Sequence, residues 1–260
     1  MNDFITALQF LSRIRIVKQK SDSWDKSAFS RSVPWFPLVG AVIGLCLAGL
    51  NYILLPYFDT ILRSVILVFF EILLTGGLFC DGLMDTSDGV FSGRKRELML
   101  EIMKDSRVGA NGIVVFIMVV FLKIAIYQAL NGELLTLVLF AMPIATRLAV
   151  VFAITHFNYA RTEGTGGLFT RYTDKRYSYI AFFMTIMLVS VTFTPVIYLA
   201  SVFCLLYCLA VALYLSNVLG GLTGDTYGFI AETGNVAFIF FVYIFVIIFK
   251  QFAGGIPCLL

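Results

Sequence analysis

The chain has 260 residues, of which 60% are hydrophobic and 13% charged, with a formal net charge of +3 and a mean hydropathy of +0.92. Because soluble domains carry about 25% charged residues, this composition excludes an ordinary soluble domain. The small net charge does not indicate nucleic-acid binding, and apolar runs of about 20 residues without alternation exclude a β-barrel. The sequence therefore predicts an all-α, polytopic integral membrane helical bundle.

The N-terminal segment differs from the rest of the chain. Its first sixteen residues, MNDFITALQFLSRIRI, place apolar residues at helical spacing and two arginines at the end. This pattern is typical of an amphipathic helix that lies on a membrane surface. We predict that residues 1–33 form this helix and a cytoplasmic loop, that residues 34–250 form the transmembrane bundle, and that both belong to a single membrane-embedded domain.

Apolar runs along the rest of the chain predict about seven transmembrane helices. They cover residues 34–55, 61 to about 80, 110–130, 134–154, 178–194, 196–219 and 228–249. Fifteen of the nineteen Lys and Arg residues fall within 13–31, 94–107 and 161–176, which share one side if the spans alternate. Since basic connections stay in the cytoplasm, we predict a cytoplasmic N-terminus and a cytoplasmic site.

Three aspartates, Asp81, Asp85 and Asp88, follow the second apolar run in the stretch GGLFCDGLMDTSDGVF. Their i, i+4, i+7 spacing places them on one face of a helix, where like charges repel each other. Proximity to lipid raises the cost further. Because oxygen-only clusters suit Mg²⁺, Mn²⁺ or Ca²⁺, we interpret the three aspartates as a metal site.

The next connection adds a candidate fourth carboxylate, Asp105, and two glycines, Gly109 and Gly112, that would let the third span approach the site closely. The glycine-rich segment LGGLTGDTYGFIAETGN, between the last two spans, contains Thr223, Asp225 and Glu232. Glycine-rich backbone beside hydroxyl groups can bind phosphate through its N–H groups. We expect this segment to lie on the same side as the aspartates.

Other charged residues lie inside or beside predicted spans. Arg147 is in the middle of the fourth span and needs a partner, which a phosphate or a carboxylate of the site could supply. Arg161 has two interpretations, as a ligand for an anionic substrate or as a positive-inside anchor. Glu71 and Lys123 both lie within spans and could pair with each other.

Five blocks carry a resemblance to a known family: FPLVGAVIG (36–44), TGGLFCDGLMDTSDG (75–89), EIMKDSRVGANG (101–112), YAR (159–161) and GGLTGDTYG (220–228). In this order, and across most of the chain, they resemble the cobalamin synthase family, the adenosylcobinamide-GDP ribazoletransferases. Two positions depart from the family pattern. Phe79 stands where members usually have a histidine, and Asn235 stands where they tend to have an acid.

The resemblance implies an inner-membrane, Mg²⁺-dependent enzyme, with Mn²⁺ as a substitute. It would join adenosylcobinamide-GDP to α-ribazole or its 5′-phosphate and release GMP. We predict catalytic and metal-binding roles for Asp81, Asp85, Asp88 and Asp105. We predict substrate-binding roles for Lys104, Arg107, Arg147, Arg161, Thr223, Asp225 and Glu232. Membrane lipids are expected partners and nucleic acid is not, while a homo-oligomer and other cobalamin-assembly enzymes stay open as partners.

Two other functions compete with this one. Asp85, Asp88 and Gly89 match the opening D-x-x-D-G of CDP-alcohol phosphotransferases, which makes a lipid-forming transferase of similar architecture the alternative. A cation transporter is the third hypothesis. It predicts acids near the middle of the membrane and broken helices there, whereas the aspartates of this sequence gather at one face.

Overall fold

The computed structural model of the protein describes residues 3–16, 26–130, 132–161 and 173–252. Regular secondary structure in these ranges is helical, with one isolated bridge between Tyr159 and Leu222. The helices are α1 (Asp3–Leu11), α2 (Lys26–Ser32), α3 (Phe36–Leu54), α4 (Thr60–Thr75), α5 (Leu78–Phe91), α6 (Arg96–Ile102), α7 (Ala110–Ala129), α8 (Gly132–His156), α9 (Arg176–Ser190), α10 (Pro195–Leu219) and α11 (Gly224–Phe252). The predicted all-α class is confirmed.

The structure reduces the predicted number of membrane spans from about seven to five or six in the described part of the chain. Five helices are long and apolar enough to cross a membrane: Phe29–Leu54, Ala110–Ala129, Gly132–His156, Pro195–Leu219 and Gly224–Gln251. Helices α4 and α5 form a sixth only as one broken span, because they meet at 92°. Helix α9 has 15 residues and reaches about 22 Å, short of the hydrocarbon core.

The break between α4 and α5 has a local cause. Gly76 and Gly77 have φ angles of 66° and 72°, a left-handed conformation that side chains other than glycine rarely adopt. Gly76 ends α4 by donating its N–H to the carbonyls of Ile72 and Leu73. The predicted second span therefore turns at these glycines, and the aspartates lie on a separate helix with its own direction.

Helix α1 packs against the rest of the protein. It buries Thr6, Ala7, Leu8 and Leu11, so most of its apolar face contacts the bundle, whereas the sequence predicted contact with the membrane surface. Arg13, the second residue after this helix, donates its backbone N–H to the carbonyl of Leu74 at 2.8 Å. The N-terminal helix is thus fixed beside the bend that precedes the aspartates.

Two helix pairs approach each other through glycines. A Cβ atom at Gly40 of α3 would lie 2.5 Å from the carbonyl oxygen of Pro143 on α8, and one at Gly44 would contact the backbone of Phe140. Small residues four apart allow such close packing of membrane helices. This contact fixes α3 against the central helix α8, which is buried along most of its length.

The second close pair is α5 and α11. A Cβ atom at Gly82 would lie 2.6 Å from the carbonyl oxygen of Asp225 and 3.1 Å from the Cα of Gly228. The two backbones therefore touch where they cross. This crossing places the aspartates of α5 beside the first turn of α11.

The described parts of the basic segments (residues 13–16, 26–31, 94–107, 161 and 173–176) meet at one end of the bundle. The contacts that join them to neighbouring connections are Arg13 with Gly76, Arg96 with Gly220, Tyr159 with Leu222, and Ser30 with Thr173. At the opposite end, Asn51 donates its side-chain amide to the carbonyl of Gly132. The structure thus groups the basic segments on one side, and the assignment of that side to the cytoplasm stays a prediction.

The crossing of α5 and α11 generates a test. We expect Gly82→Ala to lower the free energy of unfolding by about 1–3 kcal/mol, because the added methyl group overlaps the backbone of α11. The measurement is the thermal unfolding midpoint of the purified protein in detergent.

The matched control is Gly49→Ala on α3, where a Cβ atom meets nothing within 4 Å. This variant should gain up to about 1 kcal/mol from higher helix propensity. Equal midpoints for the two variants would contradict the close crossing.

Candidate active site

The aspartates of α5 follow a gradient of exposure along one helix face. Asp81 is exposed, Asp85 is half-buried and Asp88 is 9% exposed. The helix spans Leu78–Phe91, so the predicted i, i+4, i+7 arrangement on one helix is confirmed. Their different depths mean that the three carboxylates have different partners.

Asp88 binds the first turn of α7. Its two carboxylate oxygens accept the backbone N–H groups of Gly109 at 2.7 Å and Gly112 at 2.8 Å. A Cβ atom at Gly112 would lie 2.6 Å from one of these oxygens, which confirms the close approach predicted for both glycines. A carboxylate is favourable at the positive end of a helix, so Asp88 has a structural role in addition to any role in catalysis.

Asp105 lies in an exposed ion pair with its neighbour in the same connection. The guanidinium of Arg107 donates to both carboxylate oxygens of Asp105, at distances from 2.7 to 3.2 Å. These hydrogen bonds lower the pKa of Asp105 to about 2 and raise the pKa of Arg107. Lys104 is exposed beside them. The structure therefore pairs Asp105 locally and does not add it to the aspartates of α5.

Asp225 faces α5 from the first turn of α11. Its Oδ2 atom accepts a hydrogen bond from Arg161 at 2.8 Å and one from Thr223 at 3.4 Å. Arg161 is mostly buried, with 14% of its side chain exposed. Arg161, for which the sequence left two roles open, thus has an intramolecular partner. This ion pair connects the Tyr159–Arg161 segment to α11.

The glycine-rich turn before α11 uses most of its own N–H groups. Gly221 and Leu222 donate to Ser216 and Asn158. Thr223 donates its N–H to the hydroxyl of Thr226 at 2.8 Å, and Thr226 returns an N–H at 3.3 Å. Most of the backbone N–H groups that were predicted to bind phosphate therefore form hydrogen bonds within the protein that stabilise this turn.

Asp81 and Asp85 differ from the other acids of the site because they accept no hydrogen bond from any described residue. Asp85 lies within electrostatic range of Asp81, Asp88 and Asp225, with Arg161 as the neighbouring cation. We call Asp81, Asp85 and Asp225 the acidic group. Among the described residues Arg161 is the neighbouring cation, and three carboxylates outnumber its one positive charge, so the group is suited to attract a cation.

The chemistry of these residues and their arrangement in space lead to different conclusions about metal binding. Carboxylate oxygens are the donors that Mg²⁺ and Mn²⁺ prefer, so the chemistry of the acidic group is suitable. In residues 3–16, 26–130, 132–161 and 173–252, however, no three His, Cys, Asp or Glu side chains are arranged to hold a metal ion. Asp88 and Asp105 have protein donors on both oxygens, and Asp225 accepts from Arg161 and Thr223. Asp81 and Asp85 are therefore the carboxylates of the site whose oxygens accept no hydrogen bond from the described residues.

A second set of charges lies deep in the bundle, and we call it the buried network. Lys123 on α7 donates to Glu71 on α4 at 3.1 Å and to Glu232 on α11 at 2.7 Å. The pairing predicted for Glu71 and Lys123 is confirmed. Glu232 is 3% exposed, so the structure places this predicted substrate ligand in an internal ion pair and apart from the acidic group.

The network continues into α8. Asn235 donates to Glu71 at 3.0 Å, Thr146 donates to Asn235 at 2.9 Å, and Arg147 donates to Thr146 at 3.1 Å. Together these residues connect α4, α7, α8 and α11. Since two acids and two cations take part, the charges of the network balance.

Arg147 is 1% exposed and its guanidinium carbon lies 4.6 Å from the ring centre of Phe79. Its Nε and Nη2 atoms have no hydrogen-bond partner among the described residues. In this conformation the guanidinium is out of reach of a substrate phosphate. Its proposed role in binding phosphate stays a prediction, while its contact with Phe79 is a feature that the sequence did not reveal.

The described residues define an integral membrane helical bundle with an acidic site at one end. The chain belongs to the cobalamin-5-phosphate synthase family, whose model matches residues 3–243. The resemblance found in the sequence is therefore confirmed.

Two relatives cover nearly the whole chain. A protein of Alkaliphilus metalliredigens (strain QYMF), named adenosylcobinamide-GDP ribazoletransferase, is 35% identical over 245 residues, which are 93% of this chain and 95% of that protein. A protein of Desulfitobacterium hafniense (strain Y51) with the same name is 35% identical over 242 residues, 90% of this chain and 93% of that protein. No solved structure matches the chain, so the similarity to CDP-alcohol phosphotransferase architecture stays a prediction.

The buried network generates a stability test. We expect Lys123→Met to cost about 3–5 kcal/mol, because it leaves two buried carboxylates without their shared cation. Thermal unfolding in detergent measures the loss.

The control is Arg176→Met, which removes an exposed pair with Asp174 at 3.9 Å. Such surface pairs contribute about 0–1 kcal/mol. A Lys123→Met protein as stable as the control would show that the network does not hold the helices together.

Proposed function

We propose that this protein is a transferase that moves the adenosylcobinamide phosphate group from adenosylcobinamide-GDP to α-ribazole or its 5′-phosphate. The observation that carries the proposal is the identity of 35% to adenosylcobinamide-GDP ribazoletransferases over 90% or more of the chain. The products are adenosylcobalamin, or its 5′-phosphate, and GMP. The acidic group beside Arg161 is consistent with this chemistry, because phosphoryl transfer is accelerated mainly by positioning and charge stabilisation.

The proposed step breaks a phosphoanhydride bond and forms a phosphoester bond. The 3′-hydroxyl oxygen of α-ribazole forms a bond to the phosphorus that carries the aminopropanol arm of cobinamide. The bond from that phosphorus to the oxygen bridging to GMP breaks, and GMP leaves with the electron pair. The hydroxyl proton is lost in the same exchange, and Asp81 and Asp85, which accept no hydrogen bond from the described residues, would accept or direct it.

Mg²⁺, with Mn²⁺ as a substitute, is the proposed cofactor, and Asp81 and Asp85 would contribute carboxylate oxygens to it. A bound divalent ion supplies charge neutralisation for a diphosphate. The chain contributes the rest of the site. Arg161 is positioned by its ion pair with Asp225, and the contact between Gly82 and α11 keeps the carboxylates adjacent.

We further propose a multi-pass protein of the inner, cytoplasmic membrane with its N-terminus and its site in the cytoplasm. The support is the common location of the basic segments at the end of the bundle where the acidic group lies. Lys and Arg are retained on the cytoplasmic side of a membrane. The nucleotide substrate is then available from the cytosol.

The activity has a direct test. Membranes that contain the protein should convert adenosylcobinamide-GDP and α-ribazole, with Mg²⁺, to adenosylcobalamin and GMP. A parallel reaction with CDP-diacylglycerol and an alcohol tests the alternative lipid-forming activity. Turnover in the second reaction without the first would overturn the proposal.

The role of Asp85 has its own test. We expect Asp85→Asn to reduce turnover by about 10²-fold or more without lowering the thermal unfolding midpoint, because the substitution breaks no internal hydrogen bond of this half-buried carboxylate and removes its repulsion with the neighbouring acids. Glu97→Gln, at an exposed position on α6, is the charge-matched control and should retain full turnover. Normal turnover of Asp85→Asn at saturating Mg²⁺ would remove Asp85 from the site.

Asp88→Asn gives a different expected result. The substitution turns one acceptor of the α7 N–H groups into a donor, so it should lower both turnover and the unfolding midpoint. Asp85 is therefore the cleaner test of a purely chemical role.

A further inference from the structure

An apolar pocket of about 150 Å³ lies between α1, α3, α5, α8 and α11, directly beside the acidic group. Aromatic side chains from four of these helices contribute to its walls: Phe10, Phe36, Phe79 and Tyr227. Nothing in the phosphoryl transfer described above uses this space. The pocket is therefore a candidate binding site for part of a substrate.

One wall of the pocket is polar. Asp81 and Asp225 line it together with Gly82 and Gly228, the glycines at which α5 and α11 cross. A ligand in the pocket would thus extend from an aromatic interior to two carboxylates of the acidic group. Its polar part would lie where the proposed transfer takes place.

The lining excludes several occupants. No Lys or Arg is among the described residues that line the pocket, so it is not suited to a diphosphate. Its volume is far too small for a corrin ring, whereas cavities of about 150 Å³ with apolar walls accommodate an aromatic ring such as benzene. Aromatic walls favour aromatic ligands through stacked and edge-to-face contacts.

We propose that this pocket binds the aromatic base of the acceptor nucleoside, with the ribose directed toward Asp81 and Asp225. The inference rests on the proposed function, because it takes α-ribazole as the acceptor. A benzimidazole-type base is planar and uncharged, which matches the walls. The ribose hydroxyl groups then face carboxylates that can accept hydrogen bonds.

Phe79 and Arg147 contribute to the pocket in different ways. Phe79 lines it, while Arg147 does not and contacts the ring of Phe79 at 4.6 Å. A cation near an aromatic face is attracted to it, so Arg147 is a positioning residue for this wall. Because Arg147 belongs to the buried network, its contact with Phe79 connects this network to a wall of the pocket.

Two leucines of α1 offer a matched test. Leu8 and Leu11 are each 2% exposed, but Leu11 lines the pocket and Leu8 does not. We expect Leu11→Ala to weaken equilibrium binding of labelled α-ribazole to the purified protein, without donor, by about tenfold. Leu8→Ala should lose comparable stability and leave the binding constant unchanged.

A second pair of variants fills the space with one methyl group. Val150 lines the pocket, and its neighbour Val151 on α8 does not. Val150→Ile should lower the preference for a dimethylated benzimidazole riboside over the unmethylated riboside by about fivefold or more, as expected when one methyl group is crowded in an apolar pocket. Val151→Ile should leave this preference as it is in the parent protein.

The outcomes separate this inference from the proposed function. Binding that responds to Leu11 and Val150 but not to Leu8 and Val151, without any transfer, would support the pocket and overturn the function. Normal transfer with equal effects of Leu11→Ala and Leu8→Ala on α-ribazole binding would overturn the pocket. The pocket assignment would also be overturned if Leu11→Ala and Val150→Ile changed only the binding of adenosylcobinamide-GDP. A lipid chain bound in the pocket that α-ribazole does not displace would overturn the assignment as well.

Discussion

The backbone contact between α5 and α11 is the constraint on which the site depends. Gly82 and Gly228 lack side chains, so the two helices meet at a Cα–Cα distance that a methyl group would not permit. This contact holds Asp81 and Asp85 against Asp225 although the three carboxylates repel each other. The repulsion is opposed by packing elsewhere, since α5 and α11 also bury apolar residues along their common face. Helix packing thereby holds the three carboxylates close together, and a bound cation or a positively charged group would reduce the repulsion between them.

The buried network connects the helices around this contact. Lys123 shares its charge between acids on α4 and α11, and Asn235 and Thr146 extend the connection to α8. In a membrane interior, charges without partners are costly, so each helix is held in the register that completes the pairs. The same pairing weighs against a transporter, although deep acids and a broken helix are both present. Glu71 and Glu232 are neutralised by fixed cations and do not offer an open path to a mobile ion.

The sequence predicted those parts of the site that depend on short spacing. The single helix face of Asp81, Asp85 and Asp88, the close approach of Gly109 and Gly112, and the pairing of Glu71 with Lys123 follow from periodicity and from the cost of charge in lipid. Partners far apart in the chain were not predictable. Lys123 and Glu232 are separated by 109 residues, and nothing local to Glu232 distinguishes an internal ion pair from a substrate ligand. The bend was missed for another reason: Gly76 and Gly77 interrupt an apolar run without changing its hydropathy.

The two positions where the resemblance implied a histidine and an acid, 79 and 235, belong to the same part of the structure. Phe79 contacts Arg147, and Asn235 joins Thr146 to Glu71. An acid at position 235 would add a third negative charge to the network, and a histidine at position 79 would present a ring nitrogen to the guanidinium of Arg147. In this chain both possible partners are missing, and the Nε and Nη2 atoms of Arg147 are the donors left without an acceptor in the described residues. The neutral amide of Asn235 keeps the numbers of positive and negative charges in the network equal. The phenyl ring of Phe79 contacts the guanidinium of Arg147 in place of the stronger hydrogen bond that a histidine would accept. The two positions are thus connected through Thr146 and Arg147, and Phe79 gives one wall of the pocket beside the acidic group an apolar surface where a histidine would have made it polar.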